Sequence, residues 1–159
     1  MKSFFKKIFK NKNKDLEKKY EDSIIPLINK FKDTISSKEN LSFLHYGHLG
    51  DIVNSLPVIK ELSKEKKCTL YIQKDKSIPE HVRSKDHPFG NVYLSEKSIL
   101  KILPLLKKQR FIENVEIYNN QKIDIDLNFF REMPINFNID SVRWYFHLTG
   151  VHTDLSKSY

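Results

Sequence analysis

Asp51 closes the turn Gly47, His48, Leu49, Gly50, Asp51, and its neighbours define the chemistry it could do. An apolar run at residues 41–45 ends in this turn and helical spacing starts directly after it, which predicts a strand, a tight glycine turn and a helix start. Such a junction brings the free N–H groups of a helix beside a carboxylate at the C-terminal edge of a strand. Open α/β sheets bind their ligands there. Two roles fit Asp51: a helix cap, since Asp is among the best capping residues, or a general base that takes the proton of an attacking alcohol.

His45 and His48 flank Gly47, as ligand-binding groups or as ordinary hydrogen-bonding residues of a turn. Three metal ligands on one short turn seldom converge, so no metal is expected. Arg131 follows Phe129 and Phe130 at the expected C-terminal end of a later strand, where a guanidinium could hold an anionic group of a substrate. Asp124, Asp126 and Asn128 alternate with apolar residues and share one strand face. They form a second carboxylate cluster, a solvent-facing stripe or a set of capping contacts. The turn is not the G-x-G-x-x-G dinucleotide fingerprint, and no G-x-x-x-x-G-K-[ST] loop occurs in the chain, so nicotinamide and P-loop phosphoryl chemistry lose support. No cofactor is expected.

The elements that must position these residues follow from periodicity. After the strand at 41–45, residues 52–66 carry Ile52, Val53, Leu56, Ile59 and Leu62 at helical spacing, with Pro57 tolerated in the first turns. Strands are expected at 68–73, 91–94, 115–118 and 123–129, and a polar connection at 74–90, with a short helix near 80–83. A helix at about 95–108 turns Ile99, Ile102, Leu103, Leu105 and Leu106 inward, with Pro104 expected to kink or shorten it. A last helix runs from Asp140 as cap to Thr149 and stops at Gly150, with Trp144, Tyr145 and Leu148 as its apolar contacts. Alternating strands and helices predict an α/β, Rossmann-like parallel sheet with helices on both faces.

The chain has 159 residues, enough for one domain with a real core. Its net charge of +8, from 28 Lys and Arg against 20 Asp and Glu, fits an acidic partner: a phosphorylated ligand, an anionic membrane surface or nucleic acid. Nucleic acid ranks last, because no base-reading helix or aromatic strand motif accompanies the charge. Cys68 is the only cysteine and lies in an apolar run, as a small buried hydrophobe. No transmembrane or secretory segment is apparent, so a cytoplasmic protein is expected.

Residues 1–14 form a basic amphipathic segment. On a helical wheel Met1, Phe4, Phe5, Ile8 and Phe9 of residues 1–10 oppose the lysines, which suits contact with the inner face of an anionic membrane. Residues 15–40 form a helical extension in which Leu16, Tyr20, Ile24, Leu27, Ile28, Phe31 and Ile35 share a face. Pro26 predicts a kink or a second helix capped near Ser23. The Rossmann-like domain then occupies residues 41–159.

At HYGHLGDIVNSLPVIKEL the chain resembles the heptosyltransferase-like glycosyltransferases, the family of the ADP-heptose lipopolysaccharide heptosyltransferases. That family's first strand ends in x-x-L-G-D, followed by an apolar helix start and L-P-x-[LI], matched here by Leu49, Gly50, Asp51, Leu56, Pro57 and Ile59. The IDIDL segment at 123–127 resembles the family's Y-D-x-x-I-D-L element, and Leu148, Thr149, Gly150 its Y-x-x-L-x-G ending. The resemblance implies the N-terminal, acceptor-side half of a GT-B enzyme: inverting, metal-independent transfer of a sugar from a nucleotide-sugar donor to a glycan or glycolipid acceptor. Asp51 then matches the general base and Gly50 the backbone turn; Gly47, His48, Leu49 and Gly50 of the loop, together with Arg131 at the strand exit, are the expected substrate-binding residues. His48 stands where the family has a small or hydroxylic residue. The donor-binding half is expected on another chain or lost by truncation of the gene, and the alternative is a non-catalytic binding module for a phosphorylated ligand or a protein partner.

Overall fold

A computed structural model describes residues 14–15, 17–80, 90–132 and 140–154. The segments expected at residues 1–10 and 80–83, together with Leu16, His81 and His87, lie wholly or largely outside the described residues. Four strands, β1 (Asn40–His45), β2 (Lys67–Ile72), β3 (Asn114–Ile117) and β4 (Ile125–Asp126), form one sheet in the order β3-β2-β1-β4. Every pairing is parallel. Helices α1 (Ile25–Ser37), α2 (Leu49–Leu62), α3 (Glu96–Lys107) and α4 (Ser141–Thr149) flank it. The fold is α/β and Rossmann-like, as the alternation of periods predicts.

Helix α2 links β1 to β2 and α3 links β2 to β3, the crossovers that adjacent parallel strands require. The chain then returns past both strands to pair β4 with the other side of β1. Strand order therefore reverses at the β1/β4 boundary, which is the switch point where open α/β sheets form a crevice.

The two faces of the sheet are covered unequally. Leu41, Phe43 and His45 of β1, Cys68, Leu70 and Ile72 of β2, Val115 of β3 and Ile125 of β4 are in register on one face and buried. Ile28 and Phe31 of α1, Ile52, Val58 and Ile59 of α2, Ile99 and Leu106 of α3, and Tyr145 and Leu148 of α4 join them in one core. On the other face Ser42, Thr69 and Tyr71 are half-buried and Glu116 is exposed.

Several local expectations are corrected. Residues 91–94 are not a sheet strand. Their backbone is satisfied by residues 75–78 instead, through Ile78 N–H to Asn91 O, Tyr93 N–H to Lys76 O and Asp75 N–H to Leu94 O. Strand β4 has two residues rather than seven, because the chain turns into a 3-10 segment, Leu127–Glu132. Ser23 caps nothing: the helix passes through a π-turn, Tyr20–Ile24, in which Ile25 N–H reaches Tyr20 O, and this wider turn delivers Pro26 to the first turn of α1, where a missing N–H costs least.

Helix α3 runs through Pro104 to Lys107. The carbonyl that loses its partner belongs to Leu100, on the exposed side where water can bond it. Leu105 and Val53 point outward instead of inward. The caps of α4 match their reading: Asp140 accepts from Val142 N–H, and Gly150 takes the left-handed conformation at φ 67°.

Candidate functional site

Strand β1 ends at His45, and the chain turns through Tyr46 and Gly47 into α2, whose N-cap is His48 with extended backbone. Asp51 is therefore the third residue of the helix and not its cap. Its Oδ2 accepts the His48 N–H at 3.1 Å, the reciprocal half of a capping box. On the neighbouring strand, Asp126 Oδ1 accepts the Asn128 N–H at 2.9 Å, an Asx turn that starts the 3-10 segment and carries Arg131 back over the sheet edge.

Arg131 and Asp51 meet across the switch point. Arg131 Nη2 donates to Asp51 Oδ2 at 2.6 Å and Nη1 donates to Asn128 Oδ1 at 3.2 Å. The two charged side chains are about equally sheltered, at 21% and 24% exposure, so water reaches the pair without flooding it. The guanidinium carbon lies 4.3 Å from the Phe130 ring centre, 4.8 Å from Tyr93 and 5.7 Å from Tyr46, within cation–π range of all three. Asp51 Oδ1 accepts no hydrogen bond among the described residues, and the partly exposed side chain leaves that oxygen available.

Gly47 makes this approach feasible. A Cβ there would stand 2.6 Å from Arg131 Nη2, 2.6 Å from His45 Cε1 and 2.8 Å from Asp51 Oδ2, all well inside contact distance. Gly50, the glycine of the matched motif, meets nothing within 4 Å. Gly50 and Leu49 are exposed on the first turn of the helix, and Leu49 with Val53 forms an apolar strip on the face of α2 turned away from Asp51.

His45 is wholly buried and holds the turn from below. Its Nδ1 accepts the Gly47 N–H at 2.9 Å, so Nε2 carries the proton toward Tyr145 Oη at 3.0 Å. Burial, aided by the charge of Arg131, lowers its pKa to about 3, so the ring is neutral at physiological pH. Tyr145 and Tyr46 have their hydroxyl pKa raised, chiefly by burial. Burial also raises Asp126, against the bonds it accepts from Asn128. His48 Nδ1 donates to Tyr93 O at 2.9 Å, and the two rings meet edge to face.

Of the residues singled out from the sequence, Gly47, His48, Asp51 and Arg131 converge, while Leu49 and Gly50 are exposed on the first turn of α2. Asp124 lies at the opposite end of β1, paired with Lys38. His147 stacks on Tyr20 and shares a hydrogen bond with its hydroxyl. Sequence reasoning left the burial of His45, the ring of Tyr93 and the bonding of Asn128 unassigned. The D-x-N spacing of Asp126 and Asn128 was the available signal for the turn. Among the described residues, no group of three or more His, Cys, Asp or Glu is placed to hold a metal ion. No known family, curated protein or solved structure matches the chain.

Proposed function

We propose that the β1/β4 crevice is the acceptor side of a GT-B, inverting, heptosyltransferase-like glycosyltransferase, with Asp51 as its general base. An acceptor hydroxyl beside Asp51 attacks the anomeric carbon of a nucleotide sugar from the face opposite the leaving nucleoside diphosphate. Its proton passes to Oδ1, the C–O bond to the nucleotide breaks, and configuration at the anomeric carbon inverts. The donor-binding half comes from elsewhere in the same protein or from a partner chain.

One observation carries this reading: Asp51 is fixed through Oδ2 by His48 N–H and Arg131, while Oδ1 accepts no hydrogen bond among the described residues and the side chain is about a quarter exposed. A general base needs this combination of a locked side chain and an open lone pair. The basic residues 1–10 would bring the chain to the cytoplasmic face of an anionic membrane. Among the described residues no helix is long and apolar enough to cross a membrane.

The test is transfer from a panel of nucleotide sugars by the chain together with a donor-binding half. Asp51→Asn is expected to lower the rate by about 10²–10⁴-fold with the thermal midpoint retained. Equal rates for variant and wild type overturn the assignment. A non-catalytic binding module is the second reading, and the contact that favours it is Arg131 already neutralising Asp51 in the free chain. It predicts ligand binding without transfer, unchanged by Asp51→Asn.

A further inference from the structure

We infer that Asn128 is the positioning residue of this site, its carboxamide replacing the main chain that β4 fails to supply and fixing Arg131 against Asp51. The inference rests on Asp51 being the reactive carboxylate. Strand β4 pairs with β1 only at Ile125 and Asp126, opposite Phe43 and Leu44. Beyond that point the edge of β1 still presents the Tyr46 N–H, beside the carbonyl of Leu44, the last paired residue. Asn128 takes both: Oδ1 accepts Tyr46 N–H at 3.0 Å, and Nδ2 donates to Leu44 O at 3.3 Å. A side-chain amide here does the work of a backbone peptide.

The remaining capacity of the group is also used. Nδ2 donates its other hydrogen to Asp126 Oδ1 at 2.6 Å, and Oδ1 accepts Arg131 Nη1 at 3.2 Å. Two donor hydrogens and two acceptor lone pairs are thus matched, at 2% exposure. The amide has one orientation. Turned over, it would set its NH₂ against two N–H donors and its oxygen against a carbonyl and a carboxylate. Arg131 is therefore located by an atom tied to the main chain of β1, the strand that also carries the Gly47 turn and, through it, Asp51. Acid and base sides of the pair share one reference strand.

Selective ¹⁵N labelling of arginine in the full chain tests this directly. In the wild type, slowed rotation about the guanidinium bonds of Arg131 gives resolved Nη signals. Asn128→Ala, with a dispersed backbone spectrum, is expected to lose that resolution. The exchange Asp126→Asn with Asn128→Asp keeps an acceptor for Tyr46 N–H and for Arg131, and it is expected to restore the resolved signals even though Leu44 O loses its donor. Resolved Arg131 signals in folded Asn128→Ala overturn the inference, and so does their loss in the folded double variant. Should Asn128→Ala not fold, the double variant alone decides. Absence of transfer by a wild type that shows the resolved signals overturns the catalytic reading instead and leaves the positioning role standing.

Discussion

The two ends of the β1/β4 pair each carry an ion pair, and only one of them is closed. At the N-terminal edge, Asp124 accepts from Lys38 through Oδ1 and from Ser42 N–H and Oγ, at 3.0 and 2.9 Å, through Oδ2. Burial works against its ionisation, but the bonds from Lys38 and Ser42 outweigh it and hold the carboxyl below its usual pKa. Asp124 N–H bonds back to Ser42 as well, so the cluster clamps two strands in register. At the C-terminal edge, Asp51 uses one oxygen for Arg131 and the His48 N–H and leaves the other open. Saturation separates a strand clamp from a candidate site, although both have a carboxylate, a cation and partial burial.

The sharpest break in that comparison comes from Gly47→Ala. The new methyl would overlap Arg131, His45 and Asp51 at once, and the expected cost is about 3 kcal/mol, the upper end of overpacking, read by denaturant titration. A near-neutral result would mean that the pair does not depend on the close approach. Asp124→Asn comes next. It weakens the clamp by about 2 kcal/mol, as for hydrogen bonds to charged groups, without altering the Arg131 environment seen by NMR.

Acidification separates the two ends more gently. His45 titrates near 6.5 when unfolded and near 3 when folded, so between those values the unfolded state binds the extra proton. Stability is full above that range and falls with pH at about 1.4 kcal/mol per unit for one such group. His147, lowered by burial and by Lys32, acts with the same sign. His45→Gln should therefore reduce the fall in thermal midpoint between pH 7 and pH 5 without abolishing it. An unchanged slope would remove His45 as the buried strut under the turn. The smallest effect is expected from Gly50→Ala, which meets open space in a helix and should shift stability by about 0.5–1 kcal/mol in the favourable direction.

The contrast between Gly47 and Gly50 shows where sequence stops informing. Residues 41–62 announce strand, turn and helix through periodicity, and Asp51 and Arg131 are both visible as chemistry at a sheet edge. Which glycine is sterically required depends on Arg131, 84 positions away, and motif spacing does not contain that. The IDIDL alternation favours a long strand, yet the bond from Asn128 N–H to Asp126 ends it after two residues. Asn128 then pairs with β1 through its side chain, a non-local use of an amide that local propensity does not encode. Residues 91–94 look like a strand because they are short and apolar, but their backbone partners are the residues of their own connection. The caps at Asp140 and Gly150 were legible because capping is local.

The most direct test is the initial rate of sugar transfer per folded molecule for Asp51→Asn and Asp124→Asn, measured side by side with a donor-binding half present. Asp51→Asn is predicted to lose about 10²–10⁴-fold in rate at an unchanged thermal midpoint, and Asp124→Asn to keep the wild-type rate at a lowered midpoint. Wild-type transfer by Asp51→Asn, or loss of transfer by folded Asp124→Asn, would contradict the distinction between the open carboxylate and the closed one.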